Sequence, residues 1–306
     1  MTAEQHTLQT KLAQGDNKAL ARAITIVENE LDGYEDLLLN LHTEKYVPII
    51  GITGPPGAGK STLVNSLIRS LLLKLKPNSR GIGVISVDPS SPIHQGAILG
   101  DRLRMNEHFN DAHVFIRSLA TRGALGGLSA KTIEVTEVMR SFGFEYILVE
   151  TVGVGQSEVE IAGLADVTLL VITPESGDDI QVMKSGVTEI ADIFVVNKSD
   201  RDGADEFAKN LHQILPMKHE KDDLKAAIVK TVATKNEGVE KIVEKIEDHL
   251  KHKSPLKESL LWAEKAYQLI LKKMMKGIDK EKLKKEIEKE LKKKERFNVY
   301  RFIKNF

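Results

Sequence analysis

Residues 47–63, VPIIGITGPPGAGKSTL, leave this chain few folds to choose from. Val47 to Thr53 is a short, apolar, β-branched run, the composition of a strand buried on both faces. Gly54, Pro55, Pro56, Gly57, Ala58, Gly59, Lys60, Ser61 and Thr62 follow, and they match G-x-x-x-x-G-K-[ST] at every fixed position. From Ser61 to Leu75, the apolar Leu63, Leu67, Leu71 and Leu75 recur every fourth residue and predict a helix. Strand, glycine-rich loop and helix in that order are the setting a phosphate-binding loop requires.

The residue types suit that chemistry. Glycines let backbone N–H groups converge on a phosphate without Cβ clashes. The helix N-terminus adds unpaired donors and the positive end of its dipole. Lys60 can reach the β and γ phosphates as a point charge, and the Ser61 hydroxyl can ligate Mg²⁺.

Further strands are expected at Gly81–Val87, Val114–Ile116, Tyr146–Val149, Val167–Thr173, Ile193–Val196 and Ala226–Val232. Helices are expected at 130–142 (with Ser129 as its cap), 204–215 and 237–250. Alternating strands and helices from 47 to 250 predict an α/β fold: one doubly wound, mainly parallel sheet, and with the phosphate loop one of the P-loop NTPase kind. Ahead of it, Leu20, Ile24, Val27 and Leu31 form one apolar stripe, continued by Tyr34, Leu38 and Leu41, with Asp16 as N-cap. Behind it, Leu256, Leu260, Ala263, Tyr267, Ile270 and Met274 form one stripe, and Trp262, Ala266 and Leu269 a second. A helix apolar on two sides wants two partners, its own domain and a second subunit. The expected organisation is an N-terminal helical arm (1–45), a P-loop domain (46–252) and a C-terminal helical arm (253–306) that forms a homodimer.

Asn197-Lys198-Ser199-Asp200 follows a strand and carries a guanine signal. The Asp200 carboxylate can accept from guanine N1–H and from its 2-amino group, a donor pair that adenine lacks. Asn197 would tether the loop, and the stem of Lys198 would cover the ring. Glu150-Thr-Val-Gly153 occupies the place where many GTPases carry D-x-x-G. Glu150 then belongs near Mg²⁺, directly or through water. The Gly153 N–H would bond to the γ-phosphate, and hydrolysis would break that bond, which makes a switch. Asp88 and Asp101 are further candidates for the metal's surroundings. Gln156 is either a water-positioning group or a polar helix start. Arg102, Arg104, Arg117 and Arg122 either face phosphate or pair with surface acids.

Composition narrows the partners. Lys+Arg 44 balances Asp+Glu 44, so no overall charge favours nucleic acid or membrane. Residues 272–296 do hold twelve Lys/Arg against six Asp/Glu, but Glu281–Lys285, Glu288–Lys292 and Glu290–Lys294 are favourably ordered i,i+4 pairs on a solvated helix. There is no cysteine, which excludes disulfides and thiolate chemistry. No run approaches the ~18 apolar residues of a membrane span, and a cytoplasmic location is expected.

Taken with GDNKALARAITIVEN, VDPSSPIHQGAILGDRLRM, FIRSLATRGALGGLS, VETVGVGQSE, SGDDIQVMKSG and VVNKSD, the phosphate-loop motif resembles the MeaB/ArgK family of P-loop GTPases, chaperones associated with methylmalonyl-CoA mutase. The resemblance covers nearly the whole chain and implies that residues 46–252 are a G domain, a GTPase domain, flanked by an N-terminal helical arm and a C-terminal helical arm that dimerises. It implies that Lys60 and Ser61 serve phosphate and Mg²⁺, and that Asp88, Asp101 and Glu150 surround the metal. Lys60, Asp101, Glu150 and Gly153 would then carry hydrolysis. It also implies a second switch at 150–175 and a partner-sensing third switch at Ser176–Lys184, with Asp178, Gln181 and Lys184 in it. Pro174-Glu175 departs from the Pro-Gly usual before that segment. The implied function couples GTP binding and hydrolysis to an adenosylcobalamin-dependent mutase, gating cofactor delivery and protecting the enzyme. Competing readings are a metal-insertion GTPase, opposed by the absence of Cys and of a His-rich tract, a kinase of transport-system proteins, and a non-enzymatic scaffold, opposed by the intact Lys60, Ser61 and Asp200.

Overall fold

The computed structural model describes residues 3–43, 45–88, 105–120, 131–153, 161–174, 191–215, 227–252, 255–275, 277–278, 280–292 and 297–304. Its centre is a seven-stranded sheet built from β1 (Ile49–Thr53), β2 (Ile82–Asp88), β3 (Val114–Ala120), β4 (Tyr146–Glu150), β5 (Val167–Ile172), β6 (Ile193–Val196) and β7 (Ala227–Lys230). The strand order is β3-β2-β4-β1-β5-β6-β7. Every neighbouring pair runs parallel, so the expected mainly parallel sheet is wholly parallel across these strands. The physical reason is visible in the sequence. The inner strands are unbroken apolar runs, which suit a sheet covered by helices on both faces.

Those helices are α1 (Ala3–Ala13), α2 (Asn17–Glu28), α3 (Tyr34–Leu39), α4 (Lys60–Leu72), α5 (Thr132–Phe142), α6 (Ala204–Ile214) and α7 (Val239–Lys251). Strand residues alternate between the two faces. Ile50 and Ile52 of β1 join Leu63 and Leu67 of α4 and Ile242 and Ile246 of α7 in one core. Ile49 joins Ile24 and Val27 of α2 and Val138 and Met139 of α5 in the other. Under β5 and β6, Leu170, Phe194 and Leu211 of α6 form a third cluster.

The N-terminal stripe differs from its expectation in an informative way. Asp16 does cap α2: its Oδ1 accepts from Lys18 N at 2.7 Å and Ala19 N at 3.3 Å. The periodic run nonetheless breaks, because Glu30 (φ 48°) and Gly33 (φ 82°) take left-handed backbone. Leu20, Ile24 and Val27 are fully buried, whereas Leu31 falls in the resulting turn and is exposed. At α5 the helix opens at Thr132, with Lys131 at the cap position and no side-chain cap bond. Ser129 lies outside the described residues.

The chain divides into two units, Met1–Trp262 and Ala263–Phe306. The division falls inside α8 (Pro255–Met274), which precedes α9 (Lys280–Leu291) and α10 (Val299–Ile303). Along α8, Leu260, Trp262, Tyr267, Leu269, Ile270 and Met274 are all exposed, and Leu261 is buried instead. Both expected stripes therefore face solvent in the single chain. Among the described residues of α9, only Leu283, Ile287 and Glu290 are half-buried, and the rings of Phe297 and Phe302 stand 5.8 Å apart beside α10.

Candidate nucleotide-binding site

The sheet order brings the predicted acids to the phosphate loop. Ile52 of β1 pairs with Glu150 of β4, and Ser86 of β2 pairs with the same residue from the other side. The C-terminal ends of β2, β4 and β1 thus carry Asp88, Glu150 and Thr53 along one edge, where open α/β sheets place ligands. The loop that leaves β1 there has its shape fixed by close backbone approach. Gly54 has φ 139°, and a Cβ on it would lie 2.0 Å from the Val171 carbonyl oxygen, which only glycine allows.

At the phosphate end the functional side chains are buried. Lys60 Nζ donates to Gly54 O at 2.9 Å and Pro55 O at 3.1 Å. Ser61 Oγ donates to Glu150 Oε1 at 2.6 Å. Gly153 (φ 81°) presses on the same spot: a Cβ there would be 2.3 Å from Gly54 O and 2.4 Å from Lys60 Nζ. The hydroxyls of Thr53 and Thr151 are 2.9 Å apart beneath them. Asp88 is fully buried, with Ser86 Oγ 3.4 Å from its Oδ1. These are hard oxygen donors, the set Mg²⁺ takes. Among the described residues no three His, Asp or Glu gather into a metal-holding group. Ser61, Asp88 and Glu150 fit Mg²⁺, which keeps several water ligands when held beside phosphate.

At the base end Asn197 is buried and bonded through both its amide nitrogen and its amide oxygen. Its Nδ2 donates to Ala58 O at 2.8 Å, and its Oδ1 accepts from Thr231 Oγ1 at 3.1 Å and Ala233 N at 3.2 Å. Lys198 takes left-handed backbone (φ 56°), which turns the chain so that Ser199 N and Oγ both donate to Thr231 O at 3.0 Å. Asp200 projects into solvent, with Lys235 Nζ 3.9 Å from its Oδ2.

A model of the family described as methylmalonyl-CoA mutase-associated GTPase MeaB matches residues 20–290. The chain belongs to the MeaB family. It is 47% identical over 259 residues to a Pyrococcus horikoshii protein assigned as a GTPase, covering 83% of this chain and 80% of that one. With GTPase ArgK of Escherichia coli it shares 39% identity over 199 residues, 63% of this chain and 58% of ArgK. The crystal structure of an LAO/AO transport system kinase superposes with a TM-score of 0.65 at 26% identity, over 95% of this chain and 85% of that one. This MeaB family member is a GTPase, a P-loop protein that binds nucleotide, and its family is associated with methylmalonyl-CoA mutase. Among the described residues no helix is long and apolar enough to cross a membrane.

Asp101, Arg102, Arg104, Arg122, Gln156 and the segment Ser176–Lys184, with Asp178, Gln181 and Lys184, lie outside the described residues. Arg117 pairs with Glu28 of α2. In the phosphate loop Pro56 and Gly57 are exposed and Thr62 is half-buried. Sequence reasoning missed Thr231, Ala233 and Ser66. Thr231 and Ala233 form the turn that holds Asn197, and Ser66 Oγ donates to Ala233 O at 2.7 Å. One signal was available for the first two: a small, polar Thr-Val-Ala-Thr turn directly after a strand, at the edge where the other loops converge.

Proposed function

We propose that this MeaB family GTPase is a Mg²⁺-dependent switch that acts as chaperone to an adenosylcobalamin-dependent mutase of the methylmalonyl-CoA mutase type, gating cofactor loading and protecting the mutase. One observation carries the switch. Gly153 packs so closely on Gly54 O and Lys60 Nζ that a Cβ there would lie 2.3 and 2.4 Å from them, so the group that follows β4 can sense what occupies the phosphate loop. In this reading the backbone of Gly54–Thr62 cradles the phosphates and Lys60 neutralises the β and γ groups. Ser61, Asp88 and Glu150 supply oxygens to Mg²⁺, with Asp101 added by the family resemblance. Gly153 N–H meets the γ-phosphate. Asn197 holds the base loop, Lys198 covers the ring, and Asp200 reads guanine. Bound Mg²⁺ would offset negative charge on the β and γ oxygens.

Family association supports the mutase as client, and so does the family match across residues 20–290. The exposed apolar residues of α8 support a homodimer held by the C-terminal helices, the third part of the proposed 1–45, 46–252 and 253–306 organisation. We assign the protein to the cytoplasm, with neither nucleic acid nor membrane as partner. Truncation after Ser254 should then yield a folded, GTP-binding monomer, and sedimentation of the full chain as a monomer at micromolar concentration would contradict the dimer. The deciding experiment is steady-state GTP hydrolysis with and without the mutase. A partner that supplies or orders a missing group is worth ~10³–10⁵ in rate. Slow hydrolysis alone, strong stimulation by the mutase, and weaker stimulation of Lys184→Ala are expected. An unchanged rate at saturating mutase with no detectable complex removes the chaperone reading and leaves the GTPase.

A further inference from the structure

A hydrogen-bonded ring joins the two ends of the site. Asn197 Nδ2 donates to Ala58 O of the phosphate loop at 2.8 Å, and Asn197 Oδ1 accepts from Ala233 N at 3.2 Å. On the same residue, Ala233 O accepts from Ser66 Oγ at 2.7 Å. Ser66 sits on α4, the helix that begins at Lys60, so the path returns to the phosphate loop. Ser66, Asn197 and Ala233 are all buried. A buried hydroxyl inside a helix needs a partner. Ser66 Oγ also lies 3.1 Å from Thr62 O. With one proton to give, its shorter approach at 2.7 Å marks Ala233 O as the acceptor.

We propose that Ser66 is a positioning residue for guanine nucleotides: through Ala233 it fixes the base-side turn relative to the phosphate loop. The inference rests on the functional reading in which the nucleotide spans Lys60 and Asp200, and extends it to a residue that acts only through others. A ligand that bridges two loops binds well when their spacing is set in advance, because ordering them on binding costs affinity. The same fixed spacing lets buried polar groups reject the wrong ring. Thr231 braces the ring from outside it, since its Oγ1 donates to the same Asn197 Oδ1 at 3.1 Å.

The test uses Ser66→Ala and Thr231→Val in the full-length chain. Loss of one buried hydrogen bond should raise KM for GTP about tenfold while kcat falls no more than about twofold. The ratio of kcat/KM for GTP over ATP should fall about fivefold, and the Kd for pyrophosphate, which probes the phosphate end alone, should hold. Both substitutions loosen the same turn around Asn197, so the double variant should lose less than the product of the single losses. A merely structural Ser66 would lower the melting temperature and leave KM and the GTP/ATP ratio at wild-type values, and that result in folded Ser66→Ala overturns the proposal. If Ser66→Ala does not fold, Ser66→Cys, whose thiol keeps only a weak donor at the same place, decides on the same readings. A wild type that takes ATP as readily as GTP instead overturns the guanine reading, and the two failures are separate.

Discussion

At the phosphate end Lys60, Ser61 and Glu150 are 7%, 4% and 5% exposed, and each is bonded to backbone or to another of the three. At the base end Asp200 and Lys235 both stand in solvent, 3.9 Å apart. The two ends therefore work under different rules. A charge interaction at effective ε of about 20 is worth roughly four times what it is in water, so the dry end suits electrostatic work on phosphate. In the proposed reading the wet end gains its selectivity only when a base covers it and removes water from the Asp200 carboxylate. Hydrolysis should then be set at one end and choice of nucleotide at the other.

The sharpest way to break that division is Lys60→Ala. Removing a preorganised charge from a dry site costs ~10²–10³ in rate. Loss of Lys60 also removes a bond from Gly54 O and one from Pro55 O, which keeps Ala58 N at 3.3 Å. GTP turnover should fall about 10³-fold in a protein that keeps its circular dichroism. Turnover near wild type would mean that the buried end does not govern chemistry.

The complementary variant is Asp200→Asn. An amide can donate to the oxygen that xanthine presents in place of guanine's amino group. GTP affinity should fall about 10²-fold with XTP gaining in its place, while kcat at saturating XTP stays close to that of the wild type with GTP. Calorimetry with GTP, XTP and ATP measures it. A kcat that collapses together with affinity would show that the ends are not separable.

How much of this could be read in advance differs between the same two ends. The phosphate end was legible because its residues are close in sequence: the motif from Gly54 to Thr62 states both the loop and the helix that follows. Glu150 and Gly153 could be placed because a strand precedes them. Asn197 and Asp200 were legible as a motif, but what holds them was not. Ser66 and Ala233 are 167 residues apart, and Thr231 and Asn197 are 34 apart. No local pattern reports such pairings; the parallel sheet order creates them by setting β6 beside β5 and β7 beside β6. The N-terminal run failed for a different reason. Its period of apolar residues continued through Glu30 and Gly33, but two left-handed residues outweigh periodicity in deciding where a helix ends.

Gly153→Ala tests where sensing begins. A side chain at φ 81° is strained, and its Cβ would meet Gly54 O at 2.3 Å and Lys60 Nζ at 2.4 Å. The left-handed backbone alone costs roughly 1–2 kcal/mol. GTP affinity should drop about tenfold, in line with that strain, with GDP affinity within about twofold of wild type. Equal losses for both nucleotides would make Gly153 a packing position and not a γ-phosphate sensor.

The smallest expected effect separates the inner tie between the two ends from an outer one. Just past the far end of α4, Lys74 Nζ pairs with Glu247 Oε1 of α7 at 2.8 Å, and both side chains are well exposed. The hydrogen bond and charge of Glu247 hold the Lys74 ammonium's pKa above its usual value. Because the folded value is raised, its stabilisation is complete below the unfolded pKa and is lost only as pH climbs through the folded one, in strongly alkaline solution. Exposed pairs of this kind contribute about 0–1 kcal/mol and are screened by salt. Lys74→Ala should therefore shift stability at neutral pH by less than about 1 kcal/mol, and KM for GTP and the GTP/ATP ratio should stay at wild-type values. Like the Ser66 bond, the pair ties the α4 side of the molecule to the chain that follows β7, but it does so at the surface. If Lys74→Ala moved KM as far as Ser66→Ala, the spacing of the two ends would depend on the helices as whole rods and not on the buried ring beside the site.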